Sequence, residues 1–326
     1  MHALSAIAPP FPAASGPLGA EVFAGLTASP KRLSPWLFYD ERGSGLFEQI
    51  TALPEYYLTR TERSILETHA DAMVSAASGC GRISIMELGA GTATKTGLIL
   101  QAAVRRQNTV TYYPIDVSET PLLQARDRLE ADIPGVSVLP RIADYTRELA
   151  RVETSGERRL VLYIGSSLGN FEPLEALGLL QSLRETLTAG DKLLLGVDMV
   201  KDVSLLLAAY DDSAGVTAAF NKNVLVRINQ ELGANFDINL FQHRAVWNEN
   251  HSRIEMHLVS LVAQQVQIPA LGLKLFFEPG ESIHTENSYK FHDEDVIEML
   301  ERSGFHLSDH WTDSREWFGE YLATAW

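Results

Sequence analysis

One cysteine, Cys80, occurs in the 326 residues, so no intrachain disulfide is possible and a reducing compartment, the cytoplasm, is expected. It lies in Ser78-Gly79-Cys80-Gly81, which reads as an ordinary loop. Basic residues are in deficit: 27 Lys and Arg stand against 42 Asp and Glu, a net charge of −15. The cations are scattered and form no stripe interleaved with aromatics, which argues against a nucleic-acid partner and for a small substrate. Most of the acidity serves solubility. No apolar run is long enough for a membrane helix, and Met1-His2-Ala3-Leu4 lacks the basic region and apolar stretch of a leader. His257 and His284 invite a metal hypothesis, but the nine histidines form no recognised zinc motif and no metal site is expected. No internal repeat or low-complexity tract is present, and a monomer is expected.

What is present is organised around Ile83-Ser84-Ile85-Met86-Glu87-Leu88-Gly89-Ala90-Gly91-Thr92-Ala93-Thr94-Lys95-Thr96. A short apolar run ends in an acid, two glycines follow one residue apart, and Leu98-Ile99-Leu100 begins a helix. This is a buried strand, a tight turn and a helix start, the opening unit of a nucleotide-binding α/β sheet. Glycine fits because a Cβ would hold the backbone away from a ligand lying across the turn. The third glycine of a dinucleotide fingerprint is absent: Thr94 stands there. A pyrophosphate on the helix N-terminus is therefore disfavoured against a nucleoside cofactor without phosphates. Taken alone, a G-x-G reads equally as an ordinary strand-to-helix turn.

From residue 83 a βα alternation predicts strands at 111–116, 136–139, 160–164 and 193–197, a parallel sheet covered on both faces. Before it, residues 1–20 with Pro9, Pro10, Pro12 and Pro17 suggest a loose arm, Glu21–Leu26 a short helix, and Thr61 the N-cap of a longer one. After Asp198 the pattern changes. Residues 201–250 read as helical, and 253–290 as two long strands joined near Pro269-Ala270-Leu271-Gly272. A helix at 293–300 and a strand at 321–323 then resume the sheet. The expected fold is α/β, a Rossmann-like sheet (residues 61–200 and 291–326) with an inserted α+β substrate domain (1–60 and 201–290).

Ligands of such sheets bind beyond the carboxyl ends of the strands. Gly89 and Gly91 follow the first strand. Asp116 ends the second, where an acid accepts from ribose hydroxyls, and Asp144 follows the third, where it accepts from an adenine amino group with Tyr145 packed near the base. Asn170 follows the fourth and faces the transferable group, while Lys95 can reach a cofactor carboxylate. Each acid alone also reads as a helix cap or a solvated loop; three successive strand ends favour a nucleoside. In the inserted part, Tyr210 opens a polar helix end, and Glu286 and Ser288, two apart on a strand, address one face. A polar outer face is the ordinary reading of that pair.

The Glu87-Leu88-Gly89-Ala90-Gly91-Thr92 run resembles the first motif of class I S-adenosylmethionine-dependent methyltransferases. Nearly the whole chain resembles the histidine-specific N-alpha-methyltransferases of ergothioneine biosynthesis. The motifs are Trp36-Leu37-Phe38-Tyr39-Asp40, Leu53-Pro54-Glu55-Tyr56-Tyr57, Gly165-Ser166-Ser167-Leu168-Gly169-Asn170, Tyr210-Asp211-Asp212-Ser213-Ala214-Gly215-Val216-Thr217-Ala218-Ala219-Phe220-Asn221, Arg253-Ile254-Glu255-Met256 and Thr285-Glu286-Asn287-Ser288. The resemblance implies a class I methyltransferase sheet with an extra substrate domain, and methyl transfer to the α-amino nitrogen of L-histidine in three rounds, giving the trimethyl product hercynine. It implies that Gly89, Lys95, Asp116, Asp144 and Tyr145 bind S-adenosylmethionine. It further implies that Tyr56, Asn170 and Tyr210 hold the substrate's carboxylate and amino end, Glu286 and Ser288 the imidazole with Met256 beside it, and that Tyr39, Phe47 and Gly165 line the amine pocket. Tyr39 and Asn170 would stand closest to the chemistry. Tyr145 and Tyr289 depart from the expected pattern without removing a required group. The alternative is the same transfer onto another amino acid such as tryptophan or tyrosine.

Overall fold

The computed structural model describes residues 16–146 and 157–326. The chain divides into two units: the residues up to Tyr57 with Asp202–Ser288, and Leu58–Lys201 with Tyr289–Trp326. It enters the first unit through α1 (Gly16–Thr27), β1 (Lys31–Arg32), a 3-10 turn at Pro35–Phe38 and α2 (Glu41–Thr51). Helix α1 begins ahead of the expected Glu21, because Pro17 sits in its first turn, where a missing N–H costs nothing. The rest of the expected loose arm lies outside the described residues. Asp40 caps α2, its Oδ1 accepting from Gly43 N–H at 2.6 Å and from Asn223 Nδ2 at 2.8 Å.

Helix α3 (Tyr57–Ser78) leads into the second unit and makes Thr61 an interior residue rather than an N-cap. Tyr57, Leu58, Thr61, Glu62, Ile65 and Leu66 are all buried, so the helical stripe extends upstream of the expected start. Then follow β2 (Ile83–Leu88), α4 (Thr96–Gln107), β3 (Val110–Asp116), α5 (Glu119–Asp132), β4 (Val136–Val138), β5 (Arg141–Ile142), β6 (Arg158–Tyr163), α6 (Pro173–Thr186) and β7 (Lys192–Asp198). The chain returns to the first unit as α7 (Val203–Tyr210), α8 (Val216–Leu232) and β8 (Phe241–Asn248), then β9 (Arg253–Ser260), β10 (Gln264–Ile268), β11 (Leu273–Phe277) and β12 (Ser282–Tyr289). It ends in the second with α9 (Asp293–Arg302), β13 (Phe305–Thr312) and β14 (Phe318–Ala325).

The second unit is a sheet of order β13-β14-β7-β6-β2-β3-β4. It is parallel from β7 to β4, and β14 runs antiparallel to both β7 and β13. Alternate residues of its strands feed two apolar cores: Ile83, Ile85, Leu160 and Leu162 face one, Met86, Leu88, Val161 and Tyr163 the other. Burial on both faces is why these strands are continuous apolar runs. Strand order reverses between β2 and β6, and their carboxyl ends carry Gly89 and Gly165.

The first unit holds a sheet of order β1-β12-β9-β8 and a β10–β11 hairpin. Two expectations change here. Residues 241–248 form a strand, since Gly233, at φ 64°, ends α8 in the left-handed conformation. The two long strands expected at 253–290 are four, divided after Ser260 and around Gly280, whose φ is 86°. The turn at Pro269–Leu271 joins β10 to β11 where expected. Strand β13 leaves no clear mark in the sequence, because Phe305–Thr312 is fully buried only at Phe305 and carries no apolar run.

Candidate active site

Glu87 is the penultimate residue of the buried strand β2. Its Oε2 accepts from Thr96 Oγ1 at 2.7 Å and from the Tyr112 hydroxyl, so it ties the start of α4 and strand β3 to the glycine turn. Burial pushes the Glu87 carboxyl up to about 7 despite those two donors. The turn itself is left-handed at Gly89, Gly91 and Ala93. A Cβ on Gly91 would meet nothing within 4 Å, whereas one on Gly89 would come 3.3 Å from the Tyr145 hydroxyl. The turn is therefore open on the Gly91 side.

Asp116 is held at the end of β3: its Oδ2 accepts from Gly91 N–H at 3.0 Å and its Oδ1 from Ser118 N–H at 2.9 Å. Each oxygen keeps a lone pair for a ligand hydroxyl. Asp144 accepts from the backbone N–H of Thr146 at 3.1 Å. Tyr145 stands edge-on to Tyr163, with ring centroids 5.9 Å apart, and burial raises its phenol to about 12, so it stays neutral. Acceptor carboxylates, an open glycine turn and a neutral aromatic fit a nucleoside with hydroxyl and amino donors, and nothing in this donor set favours phosphate.

Lys95 bonds Glu62, a buried residue of α3, and the other oxygen of Glu62 accepts from Gly165 N–H. Gly165 needs its freedom, with φ 81°, and Ser166 after it is left-handed as well. Asn170 ends the short turn Ser167–Asn170 that follows. Gly169 has no room for a side chain: its Cβ would lie 2.8 Å from the Tyr289 carbonyl oxygen. Tyr289 donates to Glu172 Oε2 at 2.6 Å, which gives this unexpected tyrosine a structural place.

In the first unit, five of the expected residues form one continuous chain of contacts. Tyr39 meets Phe47 edge-on at 5.7 Å between centroids, Phe47 meets Tyr56 at 6.3 Å, and Tyr56 meets Tyr210 at 6.3 Å. The Tyr210 hydroxyl then lies 2.7 Å from Ser288 Oγ. Phe220 of α8, which lies in the Tyr210–Asn221 motif without a role assigned to it, touches both Tyr39 and Phe47 at 5.8 and 5.9 Å.

Tyr210 is anchored from behind. His243 Nε2 lies 2.8 Å from the Tyr210 carbonyl oxygen, and Asn221 Nδ2 lies 2.8 Å from His243 Nδ1. Donation to the carbonyl leaves Nδ1 as the acceptor, so the pattern fits the neutral imidazole that burial also favours. Asn221 Oδ1 accepts from Thr285 Oγ1 at 2.7 Å, and Thr285 Oγ1 lies 3.0 Å from the Met256 carbonyl oxygen. Asp212 caps α8 through Val216 and Thr217 N–H at 2.9 and 2.7 Å, and Ser213 donates to Glu55 at 2.8 Å. Part of the Tyr210–Asn221 motif is thus structural.

Glu286 and Ser288 share a parity on β12, and Met256 is buried on β9. Beside Glu286 lies a cluster of which the sequence offered only the two histidines. Glu255, His257 and His284 each offer a ligand-type atom within 4.8 Å of the others. Although burial pushes it up, donors from Asn248 and Arg253 hold the Glu255 carboxyl at about 2, and its Oε2 lies 3.2 Å from His257 Nε2. His284 Nε2 in turn lies 3.0 Å from the Glu286 carbonyl oxygen. The spacing hides this set, because one member comes from another strand. His306 and His310 are four apart as in a zinc helix, but they lie on strand β13, where their rings stack on Trp326 and Tyr321.

Residues 18–325 match the family model described as histidine-specific, S-adenosylmethionine-dependent methyltransferases. The chain is 45% identical to a histidine N-alpha-methyltransferase of Mycolicibacterium smegmatis, over 93% of each chain. It is 41% identical to a protein of that name from Mycobacterium tuberculosis, again over 93% of each. With ergothioneine biosynthesis protein 1 of Schizosaccharomyces pombe it shares 30% identity, over 90% of this chain and 39% of that one.

Proposed function

The chain belongs to the S-adenosylmethionine-dependent, histidine-specific methyltransferases, and from that premise we propose that it methylates the α-amino nitrogen of L-histidine. Three rounds give the trimethylated betaine, the first step of ergothioneine biosynthesis. The observation that carries the reading is the contact chain from Tyr39 through Phe47, Tyr56 and Tyr210 to Ser288, which joins residues from four separate segments of the sequence.

S-adenosylmethionine, when bound, supplies an electrophilic methyl group on a positively charged sulfur. Gly89 and Gly91 admit the cofactor to the backbone, Asp116 accepts from the ribose hydroxyls, and Asp144 accepts from the adenine amino group beside Tyr145. Lys95 holds the cofactor's carboxylate. Tyr56, Asn170 and Tyr210 hold the carboxylate and amino end of histidine, Glu286 and Ser288 hold the imidazole with Met256 beside it, and Gly165 borders the amine.

The attacking nitrogen must be neutral, and a free amine is mostly protonated at neutral pH. Partial desolvation among Tyr39, Phe47 and Tyr56, together with nearby positive charge, lowers an amine's pKa, so no strong base is required. Tyr39, 40% exposed, gives the departing proton a route to water. As methyl groups replace N–H donors, the anchors on carboxylate and ring keep the amine in place. Aromatic faces favour the growing ammonium by about 0.5–2 kcal/mol each. The one cysteine supports a cytoplasmic enzyme, and the acidic charge one with no nucleic-acid partner.

Mass spectrometry of L-histidine incubated with the protein and S-adenosylmethionine tests the reading. Mono-, di- and trimethylated histidine should appear with matching S-adenosylhomocysteine. Cofactor binding without either product would reduce the chain to a binding module.

A further inference from the structure

Behind the glycine turn lies a pair of acids that the reaction does not use. Glu62 of α3 and Glu320 of β14 are both 0% exposed. Their carboxyl oxygens crowd the same point on β7: a Cβ on Gly196 would lie 2.7 Å from Glu62 Oε1 and 2.9 Å from Glu320 Oε1. Only glycine leaves room for two carboxyl groups there. Glu62 accepts from Gly165 N–H on one oxygen and from Lys95 on the other. Neither oxygen of Glu320 finds a donor among the described residues, and the Glu62 carboxyl crowds the same point beside Gly196.

Two carboxyl groups buried at one point, one of them without a donor, are favoured with a single charge between them. Burial first, and the charge of Glu62 second, raise Glu320 well above the ordinary carboxylate range, while Lys95 opposes the shift. Glu320 is thus the neutral acid of the pair, and Glu62 keeps the two donors from Gly165 and Lys95. The ammonium of Lys95 spends one of its three donors on Glu62 and, at 21% exposure, keeps the others for a ligand.

We propose that Glu62 and Glu320 are positioning residues for cofactor recognition: the pair shares one proton, and the single charge it retains pins Lys95 where it meets the cofactor's carboxylate. The same carboxylate fixes Gly165 N–H, so one buried group sets both the end of β6 and the residue that opens α4. The inference rests on the reading that Lys95 holds that carboxylate.

The test is the ratio of affinities, by calorimetry on the full chain, for S-adenosylmethionine and its decarboxylated analogue. A ratio is insensitive to any inactive fraction. The unaltered protein should favour the carboxylate form by about tenfold or more, and Lys95→Met should bring the ratio near one. Glu62→Gln should lower it by at least about fivefold, and Glu320→Gln, which keeps a neutral donor, should stay within about twofold of the unaltered protein. Infrared difference spectra at neutral pH, the unaltered protein minus Glu320→Gln, should show a protonated-carboxyl band, since the contribution of Glu87 cancels between the two. If Lys95→Met loses the preference while Glu62→Gln keeps it, or if the band is absent, the inference is overturned and the role of Lys95 stands. If Lys95→Met itself keeps the preference, the role of Lys95 falls and the inference falls with it.

Discussion

The hydroxyls of Tyr210 and Ser288 lie 2.7 Å apart in a buried setting, although 78 positions separate them in the chain. Tyr210 ends helix α7 and Ser288 lies near the end of strand β12, so one hydrogen bond joins a residue proposed for the amino acid's carboxylate to one proposed for its ring. Tyr210→Phe removes that bond. Histidine affinity should fall by about tenfold, with S-adenosylmethionine affinity unchanged, since taking a partner from a buried hydroxyl costs about 1–3 kcal/mol. Calorimetry with each ligand separately checks both halves of the expectation.

Glu286 is the residue on which the choice of amino acid rests. A carboxylate accepts from an imidazole N–H, and phenylalanine offers no such donor. Glu286→Ala should weaken histidine binding by at least about tenfold, the value of a charge-assisted hydrogen bond. Histidine affinity equal to that of the unaltered protein would remove the residue from the site.

The buried relay behind Tyr210 should matter for stability and for binding alike. His243→Phe leaves the Tyr210 carbonyl and the Asn221 amide each short of a partner. We expect a lower melting temperature, from about 1–3 kcal/mol per unmet group, and a raised KM for histidine. A variant that melts lower with KM unchanged would confine His243 to a structural role.

Glu87 predicts a pH dependence of folding. Its carboxyl stands at about 7 in the fold against 4.5 as the ordinary value, so the folded state binds the extra proton between them. The stabilisation from this group is therefore fully present below about 4.5 and is lost as pH rises through about 7. Glu87→Gln should flatten that part of the curve of stability against pH, measured by urea unfolding. An unaltered slope would place the proton elsewhere.

The parallel sheet was legible because its strands, buried on both faces, are continuous apolar runs ending at Gly89, Asp116 and Gly165. Strands β8 and β13 were not, since one face of each meets solvent and their polar residues blur the period. The same limit holds within the site. The spacing of Glu286 and Ser288 puts them on one strand face, and the aromatic residues announce themselves by type. Glu62 reads as the polar side of an amphipathic helix, and Glu320 as the outer residue of a last strand. Only tertiary pairing, across 33 positions to Lys95 and 103 to Gly165, reveals what Glu62 does. For the same reason His243 escaped notice and Phe220 stood in a motif without a role, as each acquires its role from a partner on another element.

The most direct test offers histidine, tryptophan, tyrosine and phenylalanine together, at equal concentrations, to the protein with limiting S-adenosylmethionine. Mass spectrometry then counts the methyl groups on each. Nearly all should be found on the α-nitrogen of histidine, with the trimethyl form accumulating. Methyl groups mainly on tryptophan or tyrosine would contradict the account.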